Sequence, residues 1–574
     1  MSDARQPAPA PAPGPGPGPG PGSGSGSAER FDVVVVGAGF AGLYMLHRLR
    51  GLGMTVRVIE RADDVGGTWY WNRYPGARCD IESIDYCYSF DDALLHEWRW
   101  SERYAAQPEI LRYLEHVADR FDLRRDIAFG TSVLGAEWDE AGHVWRLRCD
   151  DGEIVTATYC VMATGCLSTV KTPDFPGLGS FQGRWFHTGQ WPHEPVDFTG
   201  GKVAVIGTGS SGIQAIPLIA RHAERLYVLQ RTPNYSMPAH NRPLTEAELH
   251  DALRDHAERR RRCRESESGI PLPPPTDATL DVTPEQRRAR YEEGWRRGGI
   301  SALSAAFTDF FTDEKANRLA QDFARAKIRE IVRDPEVAEL LCPTHHIGTK
   351  RTCTDTGYFE TYNRDGVELV DVRSDPIEEI TPTGVRTRDR HIDVDVIVFA
   401  IGFDAITGAL TEIDIRGTGG RALTDTWAHG PRTLLGLQTA GFPNLFMVTG
   451  PGSPSVLSNM VVSIEQHVDW IADCLAHLRE RGVDRIEATP AAQERWMAHV
   501  ADLAAHTLYP KANSWYVGVN IPGKPRTFMP YVAGCGQYRR ECDEIVAAGY
   551  AGFTLGQDAN TRQDRDTQQE GART

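Results

Sequence analysis

Phe31-Asp32-Val33-Val34-Val35-Val36-Gly37-Ala38-Gly39-Phe40-Ala41-Gly42 is the stretch that decides the fold. Four consecutive valines behind Asp32 show no polar alternation, which suits a parallel strand covered on both faces. The turn G-A-G-F-A-G follows at once, and Leu43, Leu46 and Leu49 then repeat at helical spacing. Residues 55–59 read as a second strand, and Glu60 closes it 18 residues after Gly42, near the ~20 expected of a dinucleotide-binding unit. Each part has a physical task. Gly37 permits the tight turn, Gly39 lets the backbone approach a pyrophosphate, and Gly42 lets helix pack on strand. The helix N-terminus, beginning at Phe40, faces the phosphates, and Glu60 is placed to accept hydrogen bonds from ribose hydroxyls. A lone G-x-G-x-x-G is a weak signal; strand, turn, helix, strand and acid in order are a strong one.

The pattern recurs downstream. Lys202–Ile206 is a strand, Gly207-Thr208-Gly209-Ser210-Ser211-Gly212 the turn, residues 213–220 the helix, and Arg225–Gln230 the second strand. This strand ends in Gln230-Arg231-Thr232, with no acid. An acid would repel a 2′-phosphate, whereas Arg231 pairs with one by charge-assisted hydrogen bonds and Thr232 can donate another. The second unit is therefore expected to take NADPH rather than NADH. Together the units predict an α/β fold with two Rossmann-like dinucleotide-binding domains.

Composition bounds the rest. At 574 residues the chain exceeds one core. A net charge of −16 argues against a nucleic-acid partner. No apolar run approaches the ~18 residues of a membrane span, and residues 1–28 hold no secretory apolar core. Eleven cysteines without C-x-x-C or metal spacing fit free thiols in a cytoplasmic protein, predict no metal, and count against a disulfide reductase.

Between the two turns lies Phe181 to Pro192, FQGRWFHTGQWP, of the form F-x-G-x-x-x-H-x-x-x-W-P. With the flanking turns it resembles the fingerprint of type I Baeyer–Villiger monooxygenases, nearest the phenylacetone and steroid monooxygenase branch, over residues ~30–553. Phe181, Gly183, His187 and Trp191 carry it; glycines and a terminal proline suggest a shaped linker, giving His187 and Trp191 a conformational role. Gly66-Gly67-Thr68-Trp69-Tyr70-Trp71 and Tyr74-Pro75-Gly76-Ala77-Arg78-Cys79-Asp80 resemble the element by which that family wraps FAD and presents an aspartate to the flavin. By the same resemblance Gly67, Thr68, Trp69, Asp80 and Tyr86 hold FAD. In Gly348-Thr349-Lys350-Arg351, Lys350 would reach the 2′-phosphate and Arg351, oriented by Asp80, would be the catalytic cation. The family's reduced flavin and O2 give a C4a-peroxide, and an always-charged guanidinium suits its anion and the alkoxide formed on ketone attack. Trp515 resembles a tryptophan that closes over the nicotinamide, and Ser455, Val456 and Leu457 would line the substrate pocket.

The implied activity is conversion of a ketone, expected to be bulky, cyclic or aryl and steroid- or terpenoid-like, into an ester or lactone with NADPH and O2. The rivals are an N- or S-oxygenating flavin monooxygenase and a noncatalytic FAD-binding sensor. The expected organisation is a Pro/Gly/Ser-rich disordered tail (1–28), FAD domain (29–170 and 393–553), NADP domain (171–240 and 341–392), a helical insertion (241–340) and a disordered tail (554–574). The basic run at residues 258–263, ERRRRC, reads as a solvated face. A monomer or weak homo-oligomer, soluble and without nucleic-acid or membrane partners, is expected.

Overall fold

The computed structural model describes residues 30–557, so the tail expected over 1–28 lies outside the described residues. Val33, Val34 and Val35 are fully buried in the strand Arg30–Val36. It runs parallel to both Val56–Ile59 and Ile154–Met162 at the heart of an eight-stranded sheet. The helix Phe40–Gly51 carries the chain across. A Cβ on Gly42 would stand 1.8 Å from the Gly37 carbonyl oxygen, and one on Gly212 would stand 2.2 Å from that of Gly207. The third glycine of each turn is thus set by close approach of helix to strand end.

The second sheet holds five parallel strands in the order Val367–Asp371, Arg225–Gln230, Lys202–Ile206, Val396–Phe399 and Arg184–His187. Val396–Phe399 pairs with Lys202–Ile206 through Val398 and Val205, so the return to the first unit comes after residue 399, not at 393. The fingerprint segment also departs from a linker: Arg184–His187 is the edge strand of this sheet. Four residues flanked by glycines are too few to show a strand period.

The insertion is helical, with Glu246–Arg254, His256–Glu265, Pro284–Arg297, Glu314–Ile331 and Pro335–Leu341. Its basic run is not simply a solvated face, since Arg260 is buried and Arg259 pairs with the buried Asp85. The C-terminal tail begins later than 554, because Phe553–Gln557 is a strand paired with Val483–Ala488; the remainder of that tail lies outside the described residues. All eleven cysteines are free and buried. No helix among the described residues is long and apolar enough to cross a membrane.

Candidate active site

The carboxyl ends of the first sheet's central strands open into a cavity of about 570 Å³ that also reaches the second glycine turn. Gly37, Gly39, Phe40 and Glu60 line it, while Gly42 stays behind the turn. Glu60 is buried; its Oε2 accepts from the Ala38 amide at 2.6 Å and its Oε1 from the Ala62 amide at 2.8 Å. Burial pushes its carboxyl pKa up, against the pull of those amides. The acid thus pins the turn through two backbone amides. The helix Phe40–Gly51 starts behind Gly39 without a side-chain cap, leaving its first amides open to an anion.

A Cβ on Gly67 would lie 2.9 Å from the Gly39 Cα, so the two glycine stretches touch. Thr68 and Trp69 are thereby brought to the cavity wall, and the Trp69 Nε1 donates to the Tyr86 hydroxyl at 3.3 Å. Uncapped amides, close glycine backbones and a carboxylate together fit the pyrophosphate and ribose of FAD.

Arg351 and Asp80, 271 positions apart, meet on the same wall. The Arg351 Nε donates to Asp80 Oδ2 at 2.9 Å, Nη2 to Oδ1 at 2.8 Å, and Nη1 to the Val456 carbonyl at 2.6 Å. Burial works against the charge, but the Asp80 carboxylate outweighs it and holds the guanidinium pKa above its ordinary value. Of the three expected pocket residues only Val456 lines the cavity. Ser455 is buried with φ +43°, and Leu457 packs half-buried against an apolar cluster that includes Tyr509 and Met529. A short 3₁₀ turn, Ser455–Leu457, presents only one of three successive side chains to one side. Trp515 lines the cavity.

From the second unit, Ser210 and Ser211 reach the cavity, with Gly207, Thr208, Gly209 and Gly212 behind them. The helix Ser210–His222 also starts on an uncapped glycine, Gly209. The Thr208 hydroxyl donates to the Thr232 carbonyl at 3.1 Å. Arg231 and Thr232 are exposed just past the strand Arg225–Gln230. Burial and then the nearby Arg231 charge lower the pKa of Lys350, and also that of Lys171. Among the described residues none of these three cations pairs with a carboxylate, which fits a site for phosphate. Lys171 was not legible in the sequence, where it is a lone lysine on the segment crossing between units.

The fingerprint residues stand one layer back. Gly183 abuts the Asp395 carbonyl, and Phe181 packs against the second sheet's core. Trp191 is buried between Phe186 and Phe198. The His187 Nδ1 accepts from the Gly189 amide at 3.0 Å, and Gly189 itself lines the cavity, which sequence reading missed. Burial lowers the His187 pKa to about 4, so the ring is neutral near pH 7.

A family profile described as pyridine nucleotide-disulphide oxidoreductase matches residues 34–265. The chain is 43% identical to a Baeyer–Villiger monooxygenase of Pseudooceanicola batsensis over 91% of this chain and 95% of that protein. It is 42% identical to a phenazine N-monooxygenase of Lysobacter antibioticus over 92% and 98%. The fold matches a solved oxidised steroid monooxygenase bound to NADP with TM-score 0.89 and 55% identity, covering 92% of this chain and all of that one. The matched span contains both glycine turns, residues 37–42 and 207–212. By its identity to these relatives over nearly their whole length, the chain belongs to the Baeyer–Villiger monooxygenase family.

Proposed function

We propose that this protein, with FAD resident in the first unit and NADPH in the second, uses O2 to convert a ketone into an ester or lactone. The observation that carries the reading is the Asp80–Arg351 pair on the wall of a cavity that both nucleotide turns reach. Bound FAD supplies hydride acceptance and oxygen activation. Gly37, Gly39, Phe40, Glu60, Gly67, Thr68, Trp69 and Tyr86 would hold it, with Gly42 shaping the turn. The second turn, Gly207 to Gly212, would hold the NADPH pyrophosphate. Arg231, Lys350 and Lys171 would hold its 2′-phosphate, Thr232 adding a donor, and Trp515 would cover the nicotinamide side.

Asp80 fixes the guanidinium plane, and the Val456 carbonyl fixes its far nitrogen. A positive charge held this way needs no reorganisation to meet negative charge developing on oxygen as the ketone carbonyl is attacked. A bulky, cyclic or aryl ketone is the expected substrate class, and family members named for steroid and cyclohexanone substrates support it. The similarity to a phenazine N-monooxygenase makes nitrogen oxygenation the second reading. The test is ¹⁸O2 incorporation by the purified holoenzyme, across a ketone panel and a phenazine. Labelled ester or lactone supports the first reading; labelled N-oxide with no ester supports the second. NADPH oxidation indifferent to every candidate would leave neither standing.

A further inference from the structure

The insertion helix His256–Glu265 puts two adjacent arginines into the wall of the first unit. Asp85, 1% exposed, is the point they grip. The Arg259 Nε and Nη2 each donate to one Asp85 carboxylate oxygen at 2.6 Å. Arg260, 3% exposed, donates through Nη1 to the Asp85 carbonyl at 3.0 Å and through Nη2 to the Cys87 carbonyl at 2.7 Å. The Asn459 Nδ2 donates to the same Asp85 carbonyl at 2.8 Å, while its Oδ1 caps the helix Met460–Glu480 and its backbone amide donates to the Ser268 carbonyl. The residues beside these grips are cavity wall: Tyr86 between Asp85 and Cys87, and Ser458 and Met460 either side of Asn459.

We propose that Asp85, held by Arg259, Arg260 and Asn459, is a positioning residue that fixes the Tyr86 and Ser458–Met460 walls relative to each other, so that the insertion sets which ketones fit; this rests on the ketone-oxidising reading above. Apolar contact alone would let a helix slide over the wall. A bidentate guanidinium–carboxylate pair beside a second guanidinium on the peptide carbonyls fixes distance and angle at once. The buried cation has a further reason to stay: burial raises the Glu465 carboxyl pKa and Arg260 opposes that rise, so the same charge steadies the helix behind Met460. None of these side chains is in the cavity lining, so they act through Tyr86, Ser458 and Met460.

The test compares FAD-loaded, full-length wild type, Arg260→Lys and Asn459→Ser on cyclohexanone and 4-phenylcyclohexanone. Lysine keeps the charge but not the fork, and serine keeps a helix cap but not the reach to Asp85. The expected result is a change of about tenfold in the ratio of kcat/KM for the two ketones, mostly in KM. Flavin reduction by NADPH should stay within about twofold of wild type. A ratio unchanged within about twofold, or equal losses on both ketones and on flavin reduction, would overturn the proposal. If Arg260→Lys loads no FAD, Asn459→Ser decides alone. If these two ketones are refused, the ratio is read on two ketones of unequal bulk that the panel shows to be oxidised; a wild type that makes ester or lactone from no ketone of the panel overturns the functional reading and this inference with it, and wild-type turnover with an unchanged ratio overturns this inference only.

Discussion

The Arg351 guanidinium is held by a carboxylate on one side and a carbonyl on the other, and in the role proposed for it its charge acts only once a ketone is being attacked. Arg351→Ala should therefore keep FAD and its reduction by NADPH, yet lower ester formation by on the order of 10²–10³. Single-turnover reduction and product yield measured on one preparation separate the two, and a normal ester yield would end the assignment. The role proposed for Arg231 and Lys350 belongs to a different stage, coenzyme binding. Replacing either by Ala should raise KM for NADPH by about tenfold or more, the worth of one charged hydrogen bond to phosphate, and leave NADH nearly unaffected. Equal losses with both coenzymes would make them structural. These residues differ in how far their sequence betrays them. Arg231 stands where a second strand ends, a position with fixed meaning in a dinucleotide unit. Nothing local to Asp80 or Arg351 foretells their meeting across 271 positions; there the family resemblance supplied the pairing. The 455–457 turn shows the limit of that aid, since resemblance marks a loop but not which side chain turns inward.

At the scale of elements, the strand Arg184–His187 changes what its histidine can do. As the edge of the second sheet it is hydrogen-bonded to Val396–Phe399, more than two hundred positions away, a partner no local pattern could name. His187 ends that strand, and its Nδ1 fixes the Gly189 amide on the cavity wall, where Gly189 packs between Val170 and Phe403 at the crossing between units. His187→Ala should keep FAD but release more H2O2 per NADPH consumed in the presence of a good ketone, because a loosened wall admits water. His187→Asn, which restores an acceptor near the Nδ1 position, should recover most of the coupling. Wild-type coupling in the alanine variant would reduce the segment to packing. The pH behaviour follows from burial. A histidine whose folded pKa is about 4, below the ordinary value, contributes stability that is present above pH ~6.5 and is lost as pH falls toward 4. Melting temperatures at pH 7.5 and 5 should differ less for His187→Asn than for wild type. The kcat profile between pH 6 and 8 should carry no titration that this variant removes, and one that did vanish would argue for proton transfer instead.

Across the whole molecule, the two glycine turns made the architecture readable, because each nucleotide unit is local in sequence. The sheet that the strand at 396–399 joins, the strand at 553–557, the buried Arg260 and the Arg259–Asp85 pair were not, because each is defined by a distant partner. The seam between the units is of this second kind, and it is tight at Gly76. The Tyr74 hydroxyl donates to the Gln214 Oε1 at 2.8 Å, and the Gln214 Nε2 donates back to the Arg78 carbonyl at 3.2 Å. Between them Gly76, at φ +83°, faces the backbone of the helix Ser210–His222, where an added Cβ would lie 2.4 Å from the Gln214 carbonyl oxygen. A methyl group there must push the second unit away from the loop that carries Asp80. Gly53 provides the control, with φ +70° and nothing within 4 Å of an added Cβ. Both Gly→Ala changes incur the left-handed backbone penalty of about 1–2 kcal/mol, but only Gly76→Ala also displaces a unit. Gly53→Ala should lower the melting temperature and leave coupling intact. Gly76→Ala should lower it and also raise the H2O2 released per NADPH, with KM for NADPH rising as the second turn moves off the shared cavity. If both variants lose stability alike and stay equally coupled, the close approach at Gly76 does not set the distance between the nucleotide sites.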